Sequence, residues 1–301
     1  MVGHRLMGTS LMQTGQVAEG RAHLDQAMGL CEANNRPLAT RFGIDVRISI
    51  LCYRSWALWM LGYPEAALAD AERALNEVRQ IDQAAMLMYA LLHLSLAHMF
   101  CGRYESANAE AVELLALAEK KDAPLWKASG MMNRGDLLAL VGNASDAVPM
   151  IVSGIAAYQS TGATICIPWH LSLLALAHAE LSQFDQARRC SAEAITVVET
   201  ASERWVEAEV HRTAGEVSLM SLGRHAAEAE DHFERALTVA RQQQAKSWEL
   251  RAAMSMARLW RDEGKVQQVR ELLGPVYEWF TEGFDTRDLK EAKALLNELE
   301  V

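Results

Sequence analysis

The sequence predicts an all-α protein, a right-handed α-solenoid of about seven helical hairpins followed by a C-terminal capping helix. Three observations lead to this fold class. A glycine-centred turn recurs about every 40 residues, small side chains recur at fixed distances after each turn, and the composition suits helix. Hydrophobic residues make up 50 % of the 301, with only six prolines. Stacked hairpins that bury their faces on one another require such a regular spacing.

The glycine-centred turns divide the chain into units. Their anchor residues are 47, 40, 40, 40, 41 and 41 positions apart, at Gly15, Gly62, Gly102, Gly142, Ser182, Gly223 and Gly264. A glycine at such a turn ends the first helix of the unit, helix A, by adopting a positive φ that other residues resist. Acidic residues such as Glu65 and Glu105 follow several turns, and they suit the positive end of a second helix, helix B.

Helix B is recognised by mostly small residues seven positions apart, which lie on one helix face where a close neighbour leaves no room for bulk. In the second to sixth units these pairs are Ala67 and Ala74, Ala107 and Leu114, Ala147 and Gly154, Ala187 and Ala194, and Ala229 and Ala236. We therefore predict one domain over residues 1–301, with hairpins at about 1–34, 44–80, 83–120, 123–160, 165–200, 203–243 and 245–282.

The two ends of the repeat array differ from its middle. A last helix is expected over about 286–299, with Asp285 or Thr286 as its N-cap and an apolar face that covers the seventh hairpin. The first interval is seven residues longer than the next, and the excess lies around 33–37, where Pro37 forbids a helix. We expect an exposed connection there, either a surface loop or a functional insertion.

Charge and cysteine content exclude several classes of protein. The formal net charge of −10 argues against nucleic acid as the partner, since that interaction requires clustered Lys and Arg. Five cysteines without a Cys-x-x-Cys pair suit free thiols in a reducing compartment. The chain also lacks a signal-peptide core or an apolar run of roughly 20 residues. These features predict a cytoplasmic protein that does not bind membranes.

The anchored pattern resembles the tetratricopeptide repeat, although that unit is usually about 34 residues long. Units near 40 are similar to those in the tetratricopeptide-like C-terminal regions of bacterial signalling ATPases of the nucleotide-cyclase or winged-helix regulator type. The stretches that carry this resemblance are 203–212, 244–253 and 275–286, together with Leu61-Gly62-Tyr63-Pro64 and Arg41-Phe42-Gly43-Ile44-Asp45.

In that family a P-loop ATPase module precedes the repeats, preceded in turn by a cyclase or winged-helix domain. The resemblance covers the repeat part alone. Gly264-Lys265 is not a P-loop, because Leu259 replaces the first glycine and Val266 follows the lysine. The resemblance therefore implies either a detached regulatory region or a free-standing relative, without ATPase, cyclase or DNA-binding activity.

No residue pattern predicts a catalytic, cofactor or metal site. His93 and His98 are five positions apart, which does not fit the i, i+4 spacing of a helical metal pair. Glu207 and His211 are four apart and could form an acid–base pair, but a contact on a solvated helix face explains them more simply. We expect no enzymatic activity.

A binding groove is predicted from polar residues in register on the A helices, which line the inner surface of tetratricopeptide folds. Positions eight or nine before successive turns hold Arg54, His93, Asn133 and Arg134, and positions twelve before hold His170 and His211. Such a groove could hold a carboxylate or an acidic peptide through charge-assisted hydrogen bonds. The alternative is a solvated polar stripe.

The sequence thus predicts a non-catalytic scaffold that binds a peptide or protein segment in the concave groove of the superhelix. The alternative is a regulatory or sensory module of a signalling ATPase or nucleotide cyclase, acting in cis as a fragment or in trans. A homodimer through the N-terminal end is also expected, since no polar cap precedes the first hairpin.

Overall fold

The computed structural model describes residues 1–34, 45–81, 83–221 and 225–298. These residues form helices that alternate along the chain, as the turn spacing predicts. The first eight are α1 Val2–Gln13, α2 Val17–Asn34, α3 Val46–Met60, α4 Pro64–Val78, α5 Ala84–Phe100, α6 Tyr104–Lys120, α7 Pro124–Leu140 and α8 Ala144–Ser160. They are followed by α9 Ile167–Glu180, α10 Phe184–Ala201, α11 Glu207–Met220, α12 Ala226–Gln242, α13 Lys246–Asp262, α14 Val266–Glu278 and α15 Arg287–Glu298.

Within the described ranges, consecutive helices pair into seven hairpins, from α1–α2 to α13–α14, and α15 packs on α13 and α14. This arrangement confirms the predicted all-α solenoid with its capping helix. The predicted connection at 35–37, the motif residues 41–44, the anchor Gly223 and the end of the last helix at Leu299 lie outside the described residues. That the whole chain is one domain remains a prediction.

The turn geometry explains why glycine recurs. The anchors Gly15, Gly62, Gly102, Gly142 and Gly264 have φ between +73° and +91°, and Ser182 has φ +58° in the same region. The small residues that follow them are also placed as expected: Ala67, Ala74, Ala107, Ala187 and Ala236 have no exposed surface. Close approach of the helices within each hairpin therefore depends on both features.

The helices form two layers. The odd-numbered helices pack on one another in order, and the even-numbered helices pack on their odd-numbered neighbours. The inner layer also closes on itself, because α13 of the seventh hairpin contacts α3 of the second. Among the described residues, one hydrophobic core runs through hairpins one to six and includes Trp248 of α13. A second joins α12, α13, α14 and α15, and a small third lies between α9, α10 and α11.

We call the surface where the two ends of the superhelix meet the seam. It joins hairpins one to three to hairpins six and seven and α15. The backbone N–H of Arg204 donates to the carbonyl of Gln13 at 2.7 Å, and the Ser247 hydroxyl donates to the carbonyl of Trp59 at 2.5 Å. At the far side Nη1 of Arg287 donates to the Tyr104 hydroxyl at 2.6 Å. The superhelix is therefore closed by specific contacts.

Several helices begin after their predicted start, and the seam accounts for the largest of these differences. Helix α11 begins at Glu207 instead of near 203, because the backbone of Arg204 and Trp205 donates to Gln13. Helix α9 begins at Ile167, after Cys166, whose left-handed backbone at φ +68° ends the preceding loop. Within the described residues, every helix is too short or too polar to span a membrane.

Candidate functional site

The interior of the superhelix is filled by an aromatic cluster contributed by hairpins two, three, five, six and seven. Its members are each at most 4 % exposed: Trp56, Trp59, Phe100, Trp169, Trp205 and Trp248. Trp56 stacks on Trp205 with ring centroids 5.5 Å apart, and Trp59 meets Trp248 edge to face at 4.5 Å. Because these contacts cross between distant hairpins, the cluster packs the interior and supports the seam.

A buried carboxylate beside this cluster joins the fourth hairpin to the fifth. Asp136 has no exposed surface and accepts hydrogen bonds from Nε1 of Trp169 at 3.0 Å and Nδ1 of His170 at 2.8 Å. Burial raises the pKa of Asp136, opposed by the charge and hydrogen bond of His170. The predicted site residue His170 thus has an intramolecular partner.

A second buried carboxylate, Glu203, lies on the linker that leads to the sixth hairpin. It accepts from Nε1 of Trp205 and from the backbone N–H of Cys166, both at 2.8 Å. Burial raises the pKa of Glu203. These bonds fix the Trp205 indole in the aromatic cluster, so this carboxylate has a positioning role.

Two predicted groove residues are enclosed between neighbouring A helices. His93 is 4 % exposed and Asn133 is 1 % exposed. The His93 ring stacks on Trp56 at 4.9 Å, and its Nδ1 lies 2.8 Å from the carbonyl of Tyr89. Burial lowers the pKa of His93 to about 4. Among the residues that the structure describes, Nε2 of His93 and Nδ2 of Asn133 have no hydrogen-bond partner.

The remaining predicted groove residues do not gather at one place. Arg54 forms a bidentate ion pair with Asp70, in which its Nε and Nη2 donate to the carboxylate at 2.6 and 2.8 Å. Its Nη1 lies 3.4 Å from Asp25. Arg134 is exposed. His211 lies beside His232, with ring centroids 5.8 Å apart, and burial together with His232 and Arg235 lowers its pKa to about 4. That any of these residues binds a partner remains a prediction.

Glu207 and His211, the alternative acid–base pair, have different neighbours in the structure. Glu207 lies 3.7 Å from Arg204 and 3.7 Å from Arg235. Nδ1 of His211 has no hydrogen-bond partner in the described part of the chain. Within the described ranges, no group of three or more His, Cys, Asp and Glu side chains is arranged to hold a metal ion.

The strongest candidate site is a polar cavity of about 170 Å³ beside the aromatic cluster, between α11, α13 and α15. We call it the arginine cavity, because four arginines line it: Arg212, Arg251, Arg258 and Arg287. Trp169 of the aromatic cluster and the Tyr104 ring also contribute to its wall.

Arg251 links the arginine cavity to the aromatic cluster. Its guanidinium carbon lies 5.0 Å from the ring centre of Trp59 and 5.3 Å from that of Trp248. Its Nη2 donates to the carbonyl of Phe100 at 2.9 Å, and its Nε donates to Asp288 at 2.6 Å. A cation enclosed in this way is rigid, because planar guanidinium groups stack on rings and bond carboxylates at once.

The charges in the cavity wall are almost balanced. Glu209 pairs with Arg212 through two bonds of 2.7 and 2.8 Å, and Glu291 pairs with Arg258 at 2.8 Å and Arg287 at 2.6 Å. With Asp288, three carboxylates face four guanidinium groups, which leaves one positive charge in the wall. Glu216, outside the wall, lies 3.3 Å from Arg212.

Sequence reasoning missed the arginine cavity, although Arg212 and Arg251 fall within stretches that carry the family resemblance. The four arginines have no common register relative to the turns, since Arg287 belongs to the capping helix. One sequence signal does point to this region: α13 contains three arginines, Arg251, Arg258 and Arg261. Only the closure of the superhelix brings Tyr104 and α15 to the same place.

Comparison with known proteins identifies the fold. No family model and no curated protein matches this chain. Among solved structures, apo RapI has a TM-score of 0.61 at 11 % identity, covering 99 % of this chain and 98 % of that chain. A Rap protein complexed with competence and sporulation factor has a TM-score of 0.66 at 13 % identity over 99 % and 79 %.

Two further structures extend this group. A Rap conjugation gene regulator in complex with the Phr* peptide has a TM-score of 0.67 at 11 % identity over 99 % of this chain and 73 % of that chain. A tetratricopeptide repeat protein from Parabacteroides merdae has a TM-score of 0.53 at 12 % identity over 98 % and 96 %. At such identities the likeness shows the fold alone: the chain is a tetratricopeptide-like helical-repeat solenoid.

Proposed function

We propose that this chain is a non-catalytic binding module that takes up a peptide or protein segment at the interior of its superhelix, with an acidic side chain or a terminal carboxylate held in the arginine cavity. The observation that carries the proposal is the convergence of four arginines from α11, α13 and α15 on one cavity. Arginine is the residue best suited to bind carboxylates, because its planar donors match both oxygens.

The size and charge of the cavity set the kind of group it can hold. Its volume of about 170 Å³ is below the roughly 300 Å³ at which pockets for whole drug-sized ligands begin. One side chain or chain terminus fits, and the rest of the segment would lie outside. Arg212 and Arg251, whose side chains are 16 % and 13 % exposed, would attract a carboxylate through weakly screened charges, whereas Arg258 and Arg287 are 41 % and 47 % exposed.

The similar structures support a peptide ligand. The Rap conjugation gene regulator was solved in complex with the Phr* peptide, and another Rap protein was solved with competence and sporulation factor. We extend this property to the present chain as a proposal.

A regulatory or sensory role is the second candidate, acting in cis or in trans on a signalling ATPase or nucleotide cyclase. The seam favours it, if the closed superhelix is in equilibrium with an open form in which the contacts of Gln13 and Trp59 are broken. A segment bound in the arginine cavity touches α13 and α15, which form one side of the seam, so binding can shift this equilibrium. Leu6 and Met7, both 51 % exposed on α1, offer the apolar surface for the proposed homodimer.

The test is a fluorescence-anisotropy screen of labelled peptide libraries that differ in the C-terminal group and in the number of acidic residues. Binders are then measured against Arg258→Ala and the matched control Arg261→Ala. Both arginines join α13 to α15, through Glu291 and Glu298 respectively, but only Arg258 lines the cavity.

We expect Arg258→Ala to weaken binding at least tenfold and Arg261→Ala to change it less than twofold. Amidation of the anchoring carboxylate should cause a similar loss. Equal affinity for carboxylate and amide forms, or equal effects of the two arginine variants, would refute the cavity as the anchor.

A further inference from the structure

A second cavity lies at the seam, separate from the arginine cavity. It has a volume of about 430 Å³ and is lined by side chains from both ends of the superhelix. We call it the tryptophan pocket and define it by Arg21, Tyr63, Arg241, Gln244, Lys246 and Trp279. Its volume falls within the range of small-molecule sites, about 300 to 1,000 Å³.

Trp279 differs from the tryptophans of the aromatic cluster, because 37 % of its surface is exposed. Its edge is held against the Gly62 turn, where an added Cβ would collide with Cζ3 of the indole. Tyr63 and Phe280 meet it edge to face at 5.7 and 5.5 Å. The indole is thus fixed by its neighbours while part of it remains open to the pocket.

Three cations surround this indole and come from three places in the fold. Arg21 lies on α2, Arg241 on α12 and Lys246 at the start of α13. The Lys246 ammonium is 5.6 Å from the centre of the Trp279 ring, and the Arg21 guanidinium is 6.0 Å from that of Tyr63. Two of these three cations therefore lie close to an aromatic ring of the pocket.

Nearby carboxylates neutralise only part of this charge. Asp25 lies 2.8 Å from Arg21, and Glu249 lies 2.9 Å from Arg241 and 2.7 Å from Lys246. Three cations thus share two carboxylates, and Asp25 also contacts Arg54 at 3.4 Å. The three cations therefore carry one more positive charge than these two carboxylates balance.

We propose that the tryptophan pocket binds a nucleoside phosphate, whose base stacks on Trp279 and whose phosphate is held by Arg21, Arg241 and Lys246. A flat base is the natural partner of a partly exposed indole, because every base presents a π face. A phosphate is the matching anion, since guanidinium and ammonium groups supply donors and charge together.

Because the pocket lies at the seam, the proposed ligand would contact both ends of the superhelix. Arg21 and Tyr63 belong to the first two hairpins, while Arg241, Lys246 and Trp279 belong to the sixth and seventh hairpins and the segment after α14. A ligand that touches both sides binds the closed superhelix better than an open one, so it stabilises the seam by mass action.

The test compares AMP, adenosine and inorganic phosphate by isothermal titration calorimetry and by thermal unfolding of the full chain. Trp279→Ala and Trp279→Phe are measured together with Trp260→Ala as the matched control. Trp260 also carries a lysine near its ring, Lys265 at 5.9 Å, but it lies outside the pocket. Arg258→Ala separates this site from the arginine cavity.

We expect saturable AMP binding with an increase in the unfolding temperature, and at least tenfold weaker binding of adenosine and of phosphate. Trp279→Ala should weaken AMP binding at least tenfold and Trp279→Phe less, while Trp260→Ala and Arg258→Ala leave it within twofold. The proposal fails if AMP does not saturate at millimolar concentration, if phosphate alone binds as well, or if Trp279→Ala folds and binds AMP normally.

Discussion

The carboxylates of Glu65 and Glu282 each accept backbone hydrogen bonds from the opposite side of the seam, although 217 residues separate them. The Glu282 carboxylate accepts from the N–H groups of Glu65 and Ala66 at 2.9 and 3.0 Å. The Glu65 carboxylate accepts from the N–H of Gly283 at 2.8 Å. The first N–H groups of α4 therefore obtain their acceptor from the far end of the chain, a role that a local N-cap side chain normally fills.

Replacing Glu282 should weaken the seam and α4 together. We expect Glu282→Ala to lower the free energy of unfolding by about 1 kcal/mol, the usual cost of losing an N-cap acceptor, as measured by urea denaturation. Glu278→Ala, at an exposed position just before it, is the control. A loss of amide exchange protection at Glu65 and Ala66 in the first variant alone would localise the effect, and equal unfolding curves for the two variants would contradict it.

Alanine substitutions at two turn glycines distinguish the free-energy cost of a strained backbone from the added cost of a collision at the seam. Gly62 and Gly142 have φ of +91° and +80°, so alanine at either strains the turn by about 1–2 kcal/mol. An added Cβ at Gly62 also collides with Trp279, whereas at Gly142 it meets no described atom within 4 Å.

We therefore expect Gly62→Ala to destabilise the protein by at least about 1 kcal/mol more than Gly142→Ala, since overpacking adds its own cost. Thermal and urea unfolding measure both variants. If the two are equally destabilised, the Gly62 turn does not rest on Trp279 in solution.

Ser182 occupies the one anchor position that is not glycine, and its φ of +58° is unfavourable for a side chain. Ser182→Gly should raise the free energy of unfolding by up to about 1 kcal/mol, because the relief of left-handed strain exceeds the added entropy of the unfolded chain. Ser182→Ala should leave stability nearly unchanged. An equal gain from both variants would attribute the effect to the hydroxyl and not to the backbone.

The buried histidines predict a loss of stability in acid. Burial lowers the pKa of His93 to about 4, below the value near 6.5 in an unfolded chain. Between these values the unfolded state binds more protons, so stability rises with pH through this window and is lost as the pH falls. For His93 the loss is about 3 kcal/mol between pH 7 and pH 4, at 1.36 kcal/mol per pKa unit.

His93→Phe keeps a ring against Trp56 and removes the titrating group, so the slope of stability between pH 6.5 and 4 should flatten. His211, whose pKa is also lowered to about 4, accounts for part of the remaining slope. His178→Phe, a partly exposed histidine, is the control. An unchanged slope in His93→Phe would show that this ring is accessible to protons in the native state.

The local pattern was sufficient to predict the fold. A turn residue such as Gly142 ends a helix by adopting a positive φ. A small residue such as Ala147 allows the neighbouring helix to approach closely. Both effects involve residues that are close in the sequence. Helix limits agree within a few residues except where long-range contacts intervene, as at Arg204, whose N–H bonds the carbonyl of Gln13.

The site could not be predicted in the same way, because its geometry is the sum of small rotations between successive hairpins. Register on the A helices predicts Arg54 and His93 as groove residues, but A helices also place Trp59 and Trp248 in the interior. The arginine cavity depends on α15 reaching Tyr104, and no local spacing encodes the turn of the superhelix that brings them together.

The seam changes how this chain should fold. In an open solenoid each repeat contacts only its neighbours, so folding can start anywhere and spread, and the terminal repeats fray. Here the bonds of Trp59 with Ser247 and of Glu65 with Glu282 span 188 and 217 residues. They can form only after the intervening hairpins are in place, and contacts of such high sequence separation slow folding. Formation of the seam is then the last step of folding, and it makes the seven hairpins fold and unfold as one cooperative unit.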